Sequence, residues 1–187
     1  ETKWQFVGAF SPNEKKRKQI CQQYRIQDFH SMSALIQASD AVFVHSSTES
    51  HFEVVSELLK NGKDVYVDKP LAATVEEAEK LVELSEKKRR KLMVGFNRRF
   101  APMYVEAKQR AGEPAAIYVE KHRTNNIGPA SCRFTMLDDY IHIVDLMRWF
   151  HGGELKLMYQ KMTTNLTEQL VFAQHVFEAE NGASFNL

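Results

Sequence analysis

The chain is 187 residues long, 43% hydrophobic and 26% charged, the profile of an ordinary globular protein with room for one large domain or two small ones. A formal net charge of +1 gives no support for nucleic acid or a membrane surface as a partner. The only cysteines, Cys21 and Cys132, are far apart and in no metal-like spacing, which excludes a disulfide framework and fits a reducing, cytoplasmic setting. No apolar run approaches the length of a membrane span, and no signal-peptide core opens the sequence.

The elements alternate through the first hundred residues. The apolar stretch over 4–10 predicts a strand, 13–24 a charged helix, 33–37 a short helix, and the β-branched run over 41–45 a buried strand. A helix over 49–60 follows, with Thr48 as N-cap and Asn61-Gly62 as its stop. Next come a strand at 65–67, a helix from 75 to about 90 with the capping box Thr74-x-x-Glu77, and a strand at 92–96. Short apolar strands separated by helices predict a parallel sheet covered on both faces, a doubly wound α/β domain over 1–100. Residues 101–187 predict an α+β domain with a largely antiparallel sheet: a helix at 102–110, a strand at 115–121, a loop at 124–132, a helix from about 137 to 150, then strand-like stretches including 170–173 and 175–177. The sequence opens at Glu1 almost directly on one strand-like stretch and closes on another at 183–187, so both ends are expected to be cut from something longer.

In open parallel sheets, ligands bind beyond the carboxyl ends of the strands. The residues there are Ser11-Pro12-Asn13, Ser46-Ser47-Thr48, Asp68-Lys69-Pro70 and Asn97-Arg98-Arg99, all polar and all expected along one rim. Within Asp68-Lys69-Pro70, the proline holds Lys69 extended and raises the chance of a cis bond that would aim the lysine. A lysine so placed can stabilise alkoxide character as hydride leaves or arrives. Taken alone, the tripeptide reads more readily as a surface turn than as a catalytic site.

A second constellation is Asp138, His142 and Asp145, at i, i+4 and i+7 of a predicted helix flanked by Leu137, Ile141, Val144, Met147 and Phe150. A polar stripe between apolar flanks suits the lining of a cleft, with histidine moving a proton and a carboxylate orienting it. A satisfied structural histidine is the plainer alternative, and a metal site lacks an identifiable third ligand. The basic run at 15–18 follows the strand whose end meets the adenosine ribose. There Ser11 stands where an acidic residue would favour NAD, with Lys15 and Lys16 just behind, a pattern that leans toward NADP. The eight glycines form no G-x-G-x-x-G, so the first strand and its pyrophosphate loop are expected to be missing from this sequence.

Four motifs together resemble the Gfo/Idh/MocA family of NAD(P)-dependent oxidoreductases. They are the strand, loop and helix start from Val42 to His51, the segment Val65 to Ala72 around Asp68-Lys69-Pro70, the joining segment Val94 to Phe100, and Asp138-x-x-x-His142-x-x-Asp145. With Lys121-His122-Arg123, the resemblance is strongest to the MviM-type branch. It covers roughly residues 3–152 and departs from the family pattern where Asp68 replaces Glu and Ser46-Ser47 replaces Thr-Pro.

The resemblance implies a Rossmann-like domain, an NAD or NADP cofactor, and a sugar, polyol or related hydroxy/keto substrate. It implies His142 as acid/base, Lys69 as the group positioning nicotinamide and reacting oxygen, and Asp138 as orienter, with Asp145 on the substrate. Ser11, Lys15, Ser46, Ser47, His51, Asp68, Lys69, Pro70, Asn97 and Arg98 would line the cofactor cleft, and no metal is expected. A homo-oligomer joined through the second-domain sheet is the further expectation. A non-catalytic dinucleotide-binding regulator of the same fold is the competing reading.

Overall fold

The computed structural model describes residues 4–123, 127 and 130–187. Most of the loop predicted over 124–132 therefore lies outside the described residues. The chain forms two compact units, Glu1–Gly95 and Phe96–Leu187.

In the first unit the order is β1 (Gly8–Ala9), α1 (Glu14–Tyr24), β2 (Gln27–Asp28), α2 (Met32–Ala38), β3 (Ala41–Val44), α3 (Thr48–Lys60), β4 (Asp64–Val67), α4 (Val75–Lys88) and β5 (Leu92–Val94). The helix ends follow their capping chemistry. Asn13 accepts from the Lys16 N–H at 3.0 Å to start α1, and Thr74 accepts from the Glu77 N–H at 3.2 Å to start α4. Helix α4 stops at Lys88 rather than near 90 because Arg89 turns left-handed at φ 52°. Helix α3 begins one residue earlier than expected, with Ser47 rather than Thr48 as its N-cap.

Strands β3, β4 and β5 form one parallel sheet, and β1 and β2 a separate parallel pair. In a doubly wound sheet of order 3-2-1-4-5-6, the strand carrying the glycine loop lies between two such groups. Val42, Val44, Val65 and Val67 alternate onto the face covered by Val55, Leu58 and Leu59 of α3 and Leu81 of α4. Each such side chain contributes about 1.5–3 kcal/mol by leaving water.

On the other face Phe43 and Met93 are 65% and 44% exposed. One expectation needs correction. The first strand shrinks from 4–10 to Gly8–Ala9, because its described partner, β2, is only two residues long, and Trp4 and Phe6 stay exposed. That pairing was missed, and Gly8 is what allows it: a Cβ there would lie 2.4 Å from the Gln27 carbonyl oxygen.

The second unit opens with a 3-10 turn (Asn97–Phe100), then α5 (Pro102–Ala111), β6 (Ala116–Tyr118), α6 (Cys132–Thr135), a π turn (Met136–Tyr140), α7 (Ile141–His151), β7 (Leu155–Thr164), β8 (Leu170–Ala179) and β9 (Ser184–Asn186). Its sheet has the order β6-β9-β8-β7, antiparallel except for the parallel β6–β9 pair. Met147 of α7 packs with Ala179, Ala183 and Phe185 to form its core. The unit starts before the boundary expected at 100/101, because the Arg99 guanidinium is bound by Asp145 of α7.

Candidate active site

The carboxyl ends of β3 and β4 are joined by one buried side chain. His51, in the first turns of α3, is 1% exposed. Its Nδ1 lies 2.8 Å from the Pro70 carbonyl oxygen and its Nε2 3.1 Å from the Ser46 carbonyl oxygen. The ring thus ties the loop after β3 to the turn after β4. This corrects the expectation that His51 contacts the cofactor: the ring sits inside, engaged on both edges, and its role is to hold Ser46 and Pro70 in place.

The Lys69-Pro70 bond is cis, Pro70 is buried, and the Lys69 backbone N–H donates to Asp68 Oδ1 at 2.8 Å. Asp68 Oδ2 is 4.0 Å from His45 Nδ1, both side chains being half exposed. Asp68 therefore shapes the turn from within, while Lys69 is partly exposed at the sheet's carboxyl edge. Beneath them Tyr66 packs between Phe43 and His45, with ring centroids 5.0 and 6.0 Å away.

Ser46 and Ser47 are exposed, with the Ser50 hydroxyl donating to Ser46 Oγ at 2.7 Å. Ser47, the N-cap of α3, makes no side-chain cap hydrogen bond. Glu49 nevertheless has its carboxyl held below the ordinary range by its own backbone N–H and by Ser47. Serine hydroxyls beside a lysine turn are a donor set suited to the ribose and nicotinamide end of a dinucleotide. Among the described residues no glycine loop cradles a pyrophosphate, so the fit extends to that end alone.

At the end of β1, Ser11 Oγ accepts from the Asn13 N–H at 3.3 Å, and Lys15 and Lys16 are exposed. Arg17 leaves the basic run: it is 7% exposed, pairs with Asp28 and donates to the Ser11 carbonyl oxygen at 2.9 Å. It braces the ends of β1 and β2 and offers nothing to a phosphate. Only Lys15 and Lys16 keep that possibility.

Asn97 and Arg98 fall in the second unit, on its opening 3-10 turn, with Asn97 exposed. Asp138 lies within the π turn and is exposed, and His142 follows in the first turn of α7, partly exposed. π turns interrupt a helix most often at functional sites. This one also corrects the helix start, since helical backbone begins at Cys132 and not near 137.

Asp145 does not share the exposure of Asp138. It is 6% exposed, with Oδ2 accepting from Arg99 Nε at 2.8 Å and Oδ1 bound to a second Arg99 nitrogen. This fork also raises the Arg99 pKa, its hydrogen bond to Asp145 being the main cause. The expectation of a substrate contact at Asp145 is therefore corrected to an internal ion pair, because a bidentate guanidinium already occupies the carboxylate.

Two further groups of side chains lie in the second unit. The Tyr140 hydroxyl and His175 Nδ1 share a hydrogen bond at 2.6 Å, and both residues are buried. Burial pushes the tyrosine up to about 12 and the histidine below its ordinary value. Asp139 receives both Lys121 and Arg123. Among the described residues no group of three or more His, Cys, Asp or Glu could hold a metal ion, and no helix is long and apolar enough to cross a membrane.

Comparison with known proteins agrees with this architecture. Residues 1–96 match the oxidoreductase family model with an NAD-binding Rossmann fold, and residues 102–186 match the YceM-like C-terminal domain. The YceM protein of Salmonella typhimurium is 49% identical over 177 residues, covering 95% of this chain and 58% of its own length. The UDP-N-acetylglucosamine 3-dehydrogenase of Acidithiobacillus ferrooxidans is 26% identical over 98% of this chain and 58% of its own. The crystal structure of a dehydrogenase (MviM) from Clostridium difficile superposes with a TM-score of 0.92 at 43% identity, over 99% of this chain and 61% of that one. The chain thus spans a little under two thirds of the length of these relatives. Its parallel first unit and the two matched family models place it in the Gfo/Idh/MocA oxidoreductase family, with an NAD-binding Rossmann fold and a YceM-like second domain.

Proposed function

We propose that the protein is a cytoplasmic NAD(P)-dependent oxidoreductase that moves hydride between nicotinamide and a CH–OH or C=O carbon of a sugar, polyol or related substrate. The observation that carries this reading is the Asp68-Lys69-Pro70 turn, held at the carboxyl edge of a parallel sheet by the buried His51 in a chain of this family. A surface turn has no need of a fully buried histidine clamping its carbonyl.

Nicotinamide, when bound, supplies or accepts the hydride. Lys69 hydrogen-bonds the reacting oxygen and stabilises its negative charge as the C–H bond breaks or forms. The His142 imidazole takes the hydroxyl proton in oxidation and returns it in reduction, and Asp138 orients the histidine and substrate. These three assignments rest on family membership together with the exposure of each side chain. Ser46, Ser47 and the start of α3 serve the cofactor, as do Asn97 and Arg98. NADP is the preferred form, because Ser11 leaves no carboxylate to repel a 2′-phosphate and Lys15 and Lys16 are exposed beside it.

The protein further assembles as a homo-oligomer through the outward face of the β6-β9-β8-β7 sheet. Tyr118 and Tyr159, 71% and 48% exposed, stand on that face. A screen of sugars, sugar acids and polyols with NADP and NAD, followed by absorbance of the reduced nicotinamide, tests the activity. Turnover that disappears in His142→Gln is expected, and cofactor binding without turnover across the screen would favour a regulator.

A further inference from the structure

The second unit contains a cavity of about 800 Å³ lined by the sheet and by the faces of α6, the π turn and α7. Its size is that of a small-molecule site. We propose that this cavity binds an anionic group, a carboxylate or a phosphate, carried by the protein's substrate. This deepens the oxidoreductase reading and rests on it for the word substrate.

The charge pattern is the first argument. Lys121 and Arg123 alternate along the extended segment after β6, and both reach Asp139. His122, between them, pairs at 3.3 Å with Glu120, and these two line the cavity as well. At Asp139 the cavity therefore presents two cations to one carboxylate. Arg123 spends Nε and one terminal nitrogen on the same oxygen, Asp139 Oδ2, so the other terminal nitrogen is left for a second acceptor. A guanidinium suits a carboxylate or phosphate in that position.

The second argument is Thr135. It is 7% exposed and lines the cavity, and its hydroxyl has no hydrogen-bond partner among the described residues. A buried hydroxyl without a partner is costly and calls for a ligand atom. Ile143, Leu170, Ala173 and Leu187 add apolar surface to the lining, which strengthens a charge interaction beside them.

Thr135, Asp139 and Ile143 are spaced four apart along the helical segment and line the cavity together. Asp138 and His142 each precede one of them along the chain and fall on a neighbouring stripe of the helical segment. A substrate reacting at His142 can thus extend its charged end into this cavity.

Calorimetric titration of the protein, without nicotinamide, with glucuronate, glucose 6-phosphate and glucose tests the proposal. The better anionic probe is expected to bind at least about tenfold more tightly than glucose, the effect of one charge-assisted hydrogen bond. A preference for glucuronate identifies a carboxylate, and one for glucose 6-phosphate a phosphate. Arg123→Gln should remove the margin over glucose, Arg123→Lys should keep part of it, and Thr135→Val should weaken the anion several-fold, with circular dichroism verifying each fold. Glucose binding as tightly as both anions, neither anion binding below about 10 mM, or an undiminished margin in Arg123→Gln would each overturn it. Because no cofactor is present, such failure leaves the oxidoreductase reading standing. Failure of NADH and NADPH to bind would conversely leave the anion cavity standing.

Discussion

Lys69 could be singled out in the sequence because proline restricts the residue before it, and that restriction acts locally. Its support could not be, since His51 reaches Pro70 across 19 residues of chain. A histidine near a predicted rim reads the same whether its ring points outward or into the core. Asp145 misled for a related reason: helical spacing placed it with Asp138 and His142, while its partner, Arg99, lies 46 residues away. Substituting Lys69→Met should lower kcat/KM by about 10²–10³, the scale of one electrostatic stabiliser, with the circular dichroism spectrum unchanged; steady-state nicotinamide absorbance measures it. His175 makes a prediction about pH. Burial lowers its pKa in the fold, so the folded state favours the neutral ring. The stabilisation is then present above the ordinary value of 6.5 and is lost as pH falls toward the folded pKa. Thermal melts from pH 7 to pH 5, near and below that ordinary value, should show Tm falling, and His175→Gln, which can still hydrogen-bond Tyr140, should flatten the slope.

At the scale of elements, the strands β3, β4 and β5 and helices α1, α3 and α4 were readable because periodicity and caps are written in neighbouring residues. The π turn was not, since nothing in Met136–Tyr140 distinguishes it from α-helix by spacing. Nor was the β1–β2 pairing, which depends on a close approach at Gly8. Two joints carry testable consequences. A Cβ at Gly95 would lie 2.5 Å from the Tyr66 hydroxyl. Gly95→Ala should therefore destabilise the first unit by about 1–3 kcal/mol, as overpacking does, and Tyr66→Leu in the same chain should recover part of it in urea melts. Arg99→Met strands the Asp145 carboxylate, which is 6% exposed. Unfolding should become easier by about 2–3 kcal/mol, less than for a fully buried pair because Arg99 is half open. Asp145→Asn in the Arg99→Met background should cost little more, since the charge has then been removed from both sides.

For the whole molecule, the alternation of strands and helices and the later antiparallel strands made the two-part architecture legible. The oligomeric assembly is a proposal at this scale. Tyr159→Glu on the outward sheet face should shift the protein toward monomer in light scattering coupled to gel filtration, with Tm changed little in each species. The central claim is that Asp68-Lys69-Pro70 and its neighbours serve a bound dinucleotide. Fluorescence titration of the protein with NADPH and NADH tests it most directly. The account predicts saturable binding of both, tighter for NADPH, with the preference reduced in Lys15→Ala. No binding of either nucleotide up to about 1 mM, an affinity too weak for a nicotinamide enzyme's cofactor site, would contradict it.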